Sequence, residues 1–238
     1  MRTGTVVLEE KYMEELKKFY SPLFKDSCGL DAFIKRAIEC DWDDRKPRRM
    51  IFQVQRFVTL ATDIDQIRPA RDGLRMLFLK CCMESLAKLS EIKSSSFYQA
   101  FETFFSDDGK SYILKNFSLS FYEWEENGFR RKNYGDLTLG DFLCIVKAMR
   151  DMVVHDGDYW SLQMFAQDDD SIWLTDVTTR EQVLSKSTCS NETKRNVTYH
   201  FETTLQYDSF IHYFVEACIN YINAYIDKKV LEMQTCAD

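Results

Sequence analysis

His is scarce in this chain: His155, His200 and His212 are the three among 238 residues. Imidazole has an ordinary pKa close enough to neutrality to accept and return a proton, so proton-transfer chemistry has few places to sit. His155 ends the run Arg150-Asp151-Met152-Val153-Val154-His155, five residues after a planar, permanently charged guanidinium. Such a pair suits a reaction that removes a hydroxyl proton while negative charge accumulates on phosphoryl oxygens. The imidazole takes the proton and the guanidinium offsets the charge. Asp151, one turn before His155, is placed to hold the ring's tautomer or raise its pKa. Arg195 and His200 repeat the spacing, but in a stretch that reads as strand. His212 falls across from the apolar stripe of its helix, one turn from Glu216, and reads as a surface residue.

The element that must carry the first pair is sharply defined. Thr138-Leu139-Gly140-Asp141 has the form of a capping box with Asp in place of Glu, and it opens a helix over Phe142 to Val154. Phe142, Ile145, Val146, Met149, Met152 and Val153 form its core-facing stripe. His155-Asp156-Gly157 reads as its carboxyl end. On a regular helix, residues 150 and 155 stand roughly 140° apart around the axis and ~7.5 Å apart along it. Either the helix unwinds before His155, or two copies of the chain face each other.

Upstream, helical spacing of apolar residues predicts helices over Leu8 to Phe19, Leu30 to Cys40, Met50 to Leu60 with Pro47 in the first turn, and Arg71 to Ile92. The last two are expected to form an antiparallel hairpin. Residues 94–135 read as aromatic-rich and less regular, with short helices at Phe97 to Phe105 and Tyr112 to Phe117 and a loop at Glu126-Asn127-Gly128. Ser171 to Val177 and Asn196 to Phe201 predict a small β-hairpin inserted within residues 171–204, before a final helix over Asp208 to Val230. The expected fold is mainly α: one helical domain over 1–238, with N-terminal helices in 1–135 and the motif helix, hairpin insertion and last helix in 138–230. Eight Gly and three Pro are too few for a sandwich, barrel or propeller.

The formal charge of −7 makes the whole molecule repel polyanions, so nucleic-acid contact requires local basic patches. Two exist in sequence: Arg45, Lys46, Arg48 and Arg49, and Arg130, Arg131 and Lys132 beside Phe129 and Tyr134. Phosphate contacts with aromatic stacking are their functional reading; acids nearby, including Asp41, Asp43, Asp44, Glu123, Glu125 and Glu126, support a solvated surface instead. The eight Cys are scattered with no C-x-x-C pair and read as small core hydrophobes in a reducing compartment. The first ten residues lack a secretory apolar core, and no run approaches the ~18 apolar residues of a membrane span, so a cytoplasmic, membrane-free location is expected. His155, Asp156 and Asp158, with Asp168 to Asp170, are an alternative cation site, although Asp-Gly-Asp is also an ordinary turn; no metal is assigned.

Arg, a polar residue, three further residues and His resembles the signature of the HEPN superfamily (higher eukaryotes and prokaryotes nucleotide-binding). An amphipathic helix before the motif and a long helix after it extend the resemblance over residues 138–230, and more loosely over the rest. The resemblance implies a helical bundle acting as a homodimer, whose paired motifs form a metal-independent endoribonuclease without a cofactor. Arg150 and His155, assisted by Asp151, would be catalytic, and the products would carry a 2′,3′-cyclic phosphate and a 5′-hydroxyl. A toxin or defence role, with a cognate antitoxin or regulatory protein as partner, is implied by the same analogy. In the subset paired with nucleotidyltransferase antitoxins a Tyr follows the His after one residue; here Gly157 stands there and Tyr159 is the nearest Tyr, so tyrosine nucleotidylation is not implied. The alternative is a non-catalytic helical module that binds RNA, nucleotide or protein.

Overall fold

The first turns of three helices are fixed by side-chain caps. Asp26 accepts a hydrogen bond from the Gly29 N–H at 2.8 Å, and Ser106 accepts one from Gly109 at 3.2 Å. Thr138 and Asp141 close the expected capping box, Asp141 N–H to Thr138 Oγ1 at 3.1 Å and Thr138 N–H to Asp141 Oδ2 at 3.0 Å. Each cap satisfies N–H groups that a helix start leaves without intrahelical partners. In the computed structural model, which describes residues 3–40, 45–125, 128–133, 135–157, 163–166, 173–179 and 197–235, the elements run α1 (Thr3–Tyr20), α2 (Ser27–Ile38), α3 (Lys46–Ile67), α4 (Asp72–Leu89), α5 (Ser94–Phe101), α6 (Asp107–Lys115), β1 (Phe117–Glu125), β2 (Gly128–Asn133), α7 (Leu139–Asp151), β3 (Trp173–Thr179), β4 (Val197–Thr203) and α8 (Tyr207–Thr235).

The architecture is mainly α, as the apolar periodicity predicts. Pro47 occupies the first turn of α3, where its missing N–H costs nothing. Residues 68–71 join α3 to α4, and the two helices pack along each other as the expected hairpin. Buried side chains from α2, α3, α4, α7 and α8 meet in one core. Its aromatic part stacks Phe97 on Phe101 at 5.3 Å and sets the Tyr221 ring edge-on to Phe97 at 5.1 Å. Tyr20 is fully buried, yet its hydroxyl donates to the Ile51 carbonyl at 2.9 Å, so it brings its ring inside without an orphaned oxygen. Cys40, Cys82 and Cys218 are buried, Cys81 and Cys144 half-buried and Cys28 exposed. Among the described residues no helix is long and apolar enough to cross a membrane.

The β content is larger than the sequence reading of one inserted hairpin. β3 and β4 form that hairpin, but they join a second one, β1–β2, in an antiparallel four-stranded sheet of order β2-β1-β4-β3. Residues 117–125 and 128–133, within the stretch read above as irregular, are therefore strands. Phe117, Leu119, Phe201 and Thr203 are buried on one face, while on the other Ser118 is exposed and Ser120 is buried, its hydroxyl donating to the His200 carbonyl. Phe117 stands edge-on to Phe142 of α7 at 5.0 Å and stacks on Phe201 at 5.1 Å, which lays the buried face over the motif helix.

Candidate functional site

α7 ends as an α-helix at Asp151 and continues through one π-helical turn, Met152–Asp156, closed by Gly157 at φ 68°. Gly tolerates that left-handed geometry because it has no Cβ. A regular helix would separate residues 150 and 155 by roughly 140°. The π turn, with i→i+5 bonding, begins at Met152 and so changes the course of the chain only over the last residues up to His155, while Arg150 stays in the regular α-helix. Local sequence favours the break, since Val153 and Val154 are β-branched and lose rotamer freedom against a preceding helical turn. Met152 and Val153 stay buried at 8% exposure each, while Val154, at 49%, and His155 face solvent.

Arg150 is held from two helices. Its Nη1 donates to Asp151 Oδ1 at 2.8 Å, and Nη2 lies 3.8 Å from Glu84 Oε2 on α4. Glu84 Oε1 also accepts from the Nζ of Lys80, one turn earlier and only 2% exposed. Lys80, Glu84, Arg150 and Asp151 thus form an alternating chain of charges between α4 and α7. Burial lowers the guanidinium's pKa, but the Asp151 hydrogen bond and the Glu84 and Asp151 charges outweigh it and hold the group above its ordinary value. Arg150 Nε and the Tyr98 hydroxyl are buried without a hydrogen-bond partner among the described residues. Burial, then the Glu84 charge, pushes the Tyr98 phenol well up.

The structure places the other expected residues unevenly. Asp151 gives its Oδ1 to Arg150, which replaces the expected orientation of His155 by a clamp on the cation. His200 lies on β4, opposite Ser120 and Asp176, and Arg195 lies outside the described residues. Arg45 is exposed at a left-handed φ of 54° just before α3, and Arg49 is exposed on the first turn. Arg48 is half-buried, and Lys46, 15% exposed, is bound to Glu91 at 2.9 Å, which commits its charge within the chain. Arg130, Arg131 and Lys132 lie on β2, where alternation puts Arg131 on the opposite face from Arg130 and Lys132. Asp158, Asp168 to Asp170 and Tyr159 lie outside the described residues, as does Tyr134. Among the described residues no cluster of three His, Cys, Asp or Glu could hold a metal.

Sequence reasoning missed Glu84, Lys80 and a second polar cluster. The Asp72 carboxylate, 4% exposed, accepts from the Met164 and Phe165 N–H groups at 2.8 and 2.9 Å and from Arg75 at 3.3 Å. Arg75 also meets Asp65 at 2.8 Å and lies 4.2 Å over the Tyr207 ring. Burial raises the Asp72 pKa, the backbone N–H groups and Arg75 offsetting only part of it. The cluster brackets the segment 163–166, between the motif turn and the inserted hairpin, onto the start of α4. A Lys inside the apolar run Leu79-Lys80-Cys81-Cys82, with Glu four residues on, was the available signal for the first cluster. Nothing in sequence signals the second, whose partners are about 90 residues apart.

Comparison with known proteins gives no relative to lean on: no family profile, no curated protein and no solved structure matches the chain.

Proposed function

We propose that the chain is a metal-independent endoribonuclease of the HEPN type, working as a homodimer with Arg150 and His155 at its reaction centre. The observation that supports this reading is that Arg150 is fixed at the end of α7 between Glu84 and Asp151 while His155, in the π turn that follows, is exposed to solvent. His155 takes the ribose 2′-hydroxyl proton, and the 2′-oxygen attacks phosphorus. The 5′-oxygen leaves with a proton, giving a 2′,3′-cyclic phosphate and a 5′-hydroxyl. Arg150, pre-positioned by Asp151 and Glu84, offsets the charge growing on the phosphoryl oxygens.

The test is RNA cleavage in excess chelator by the native chain and by folded Arg150→Ala and His155→Ala variants. Loss in both supports the pair; loss instead in Arg195→Ala and His200→Ala moves the centre to the other pair. Light scattering at micromolar concentration should give a dimer, and a monomer counts against the shared centre. One observation favours the non-catalytic module for RNA, nucleotide or protein: Arg150 is already neutralised within its own chain by two carboxylates. Ligand binding unchanged by His155→Ala, with no RNA product, would establish that reading.

A further inference from the structure

The α3–α4 hairpin carries an apolar face that the core does not use. On α3 the core takes Ile51, Val54, Val58 and Ala61, while one flank beside them bears Phe57, Leu60, Ile64 and Ile67 at spacings of three, four and three. Leu60 is 41% exposed and Ile67 71%, and Phe57 and Ile64 are half-buried. The other flank of α3 turns to α8, where the Thr62 hydroxyl meets the Tyr207 hydroxyl at 3.0 Å, so the Phe57 to Ile67 flank is the one beside α4. On α4, Arg75 reaches Asp65 of α3 on one side, and Lys80 and Glu84 turn toward Arg150 of α7 on the other. Between those sides Leu74, Phe78 and Cys81, four and three apart, form a half-buried apolar stripe. Both stripes keep the alternating three-and-four spacing by which a helix packs along a further helix.

We propose that a second copy of the chain packs on this face, two α3–α4 hairpins closing as a four-helix arrangement about a two-fold axis near Leu60. Charge selects a copy of the same chain as occupant. Arg56 and Asp63 border the α3 stripe, both exposed and, among the described residues, without an ion-pair partner. Seven residues separate them, about 10.5 Å along the helix, too far to meet within one chain. An antiparallel crossing of two α3 helices centred between them brings Arg56 of each copy to Asp63 of the other. One surface thus supplies two unlike pairs, the self-complementarity that a two-fold interface requires. Size agrees: a hairpin face roughly 33 Å long and 20 Å wide buries roughly 1,300 Å² over both copies, within the ~1,200–2,000 Å² of a stable interface. The face ends at Cys81, one turn before Glu84, which holds Arg150, so the second copy borders the proposed reaction centre. The inference rests on the homodimer proposed above and names its surface.

The test is sedimentation velocity of the full chain across micromolar concentrations, with circular dichroism to check folding. The native chain should be a dimer. Leu60→Lys and Ile67→Lys alter side chains that already face solvent, and each should raise the dimer Kd by about thirtyfold or more. Leu231→Lys, equally exposed on α8 but off this face, should leave it unchanged. Arg56→Asp should weaken the dimer by about tenfold, and adding Asp63→Arg should restore it to within about threefold, since exchanging the signs on one surface recreates both pairs. Should a Lys variant unfold, this charge exchange decides. A native chain that stays monomeric leaves the face to some other partner and overturns the proposal. So does a dimer indifferent to Leu60→Lys and Ile67→Lys, or an Asp63→Arg that deepens the Arg56→Asp defect. Dimerisation that depends on Leu60 and Ile67 without RNA cleavage removes the nuclease alone; cleavage by a dimer indifferent to both removes this surface alone.

Discussion

Replacing Asp72 by Ala is the sharpest probe of how the segment after the motif is held. The carboxylate serves two buried backbone N–H groups, at Met164 and Phe165, and one guanidinium. Ala leaves both N–H groups without their acceptor, at about 1–3 kcal/mol each, the lower end applying where water from the adjoining cavity of about 340 Å³ lined by Asp72, Arg75 and Phe165 reaches them. Arg75 keeps Asp65 and the Tyr207 ring, so little is added on its account. Removing a carboxylate that burial already disfavours returns part of the loss. The net expectation is about 3 kcal/mol, which for a chain of this length is a fall of roughly 6–12 °C in Tm. Denaturant unfolding at neutral pH measures the free energy, and hydrogen exchange should place the first loss of protection at residues 163–166. A cost below about 1 kcal/mol, or unchanged exchange there, would refute the bracket.

Glu84→Ala strands the Lys80 ammonium in the core and should destabilise by roughly 2–4 kcal/mol, whereas Lys80→Met with Glu84→Gln should recover most of the loss in the same denaturant assay. Tyr207 is pushed up to about 12 by burial, with its hydroxyl 3.0 Å from Thr62 Oγ1. The fold keeps the neutral phenol, so its contribution is whole below the ordinary tyrosine value near 10 and is lost as pH rises through the higher one. Unfolding titrations should show native stability dropping across this window by about 2–3 kcal/mol more than that of Tyr207→Phe. Thr138→Ala should cost about 1 kcal/mol by removing the α7 capping box, read as a lower denaturation midpoint.

The helices were legible because each carries its own evidence: the stripe Phe142, Ile145, Val146 and Met149 and the Thr138–Asp141 box locate α7 without reference to any other element. β1 and β2 were not. Phe121 and Tyr122 are adjacent aromatics that blur a period of two, and the partner that makes β1 an internal strand, β4, lies about 80 residues downstream. The candidate pair was legible as residues but not as a site. Spacing showed that a regular helix would misaim Arg150 and His155, but the π turn at Met152–Asp156 depends on how the helix end packs and, beyond the β-branched Val153 and Val154, has no local signal. Glu84, which holds Arg150, is a tertiary partner on α4 with no local signature toward it. The basic cluster on β2 was legible as composition but not as placement, since the strand puts Arg131 on the face opposite Arg130 and Lys132.

The most direct measurement is end-group analysis of RNA incubated with the native protein in excess EDTA. Fragments with 2′,3′-cyclic phosphate and 5′-hydroxyl termini, absent with folded His155→Ala, are the expected result. Intact RNA, cleavage that requires a divalent ion, or identical fragments from the His155→Ala chain would contradict the account.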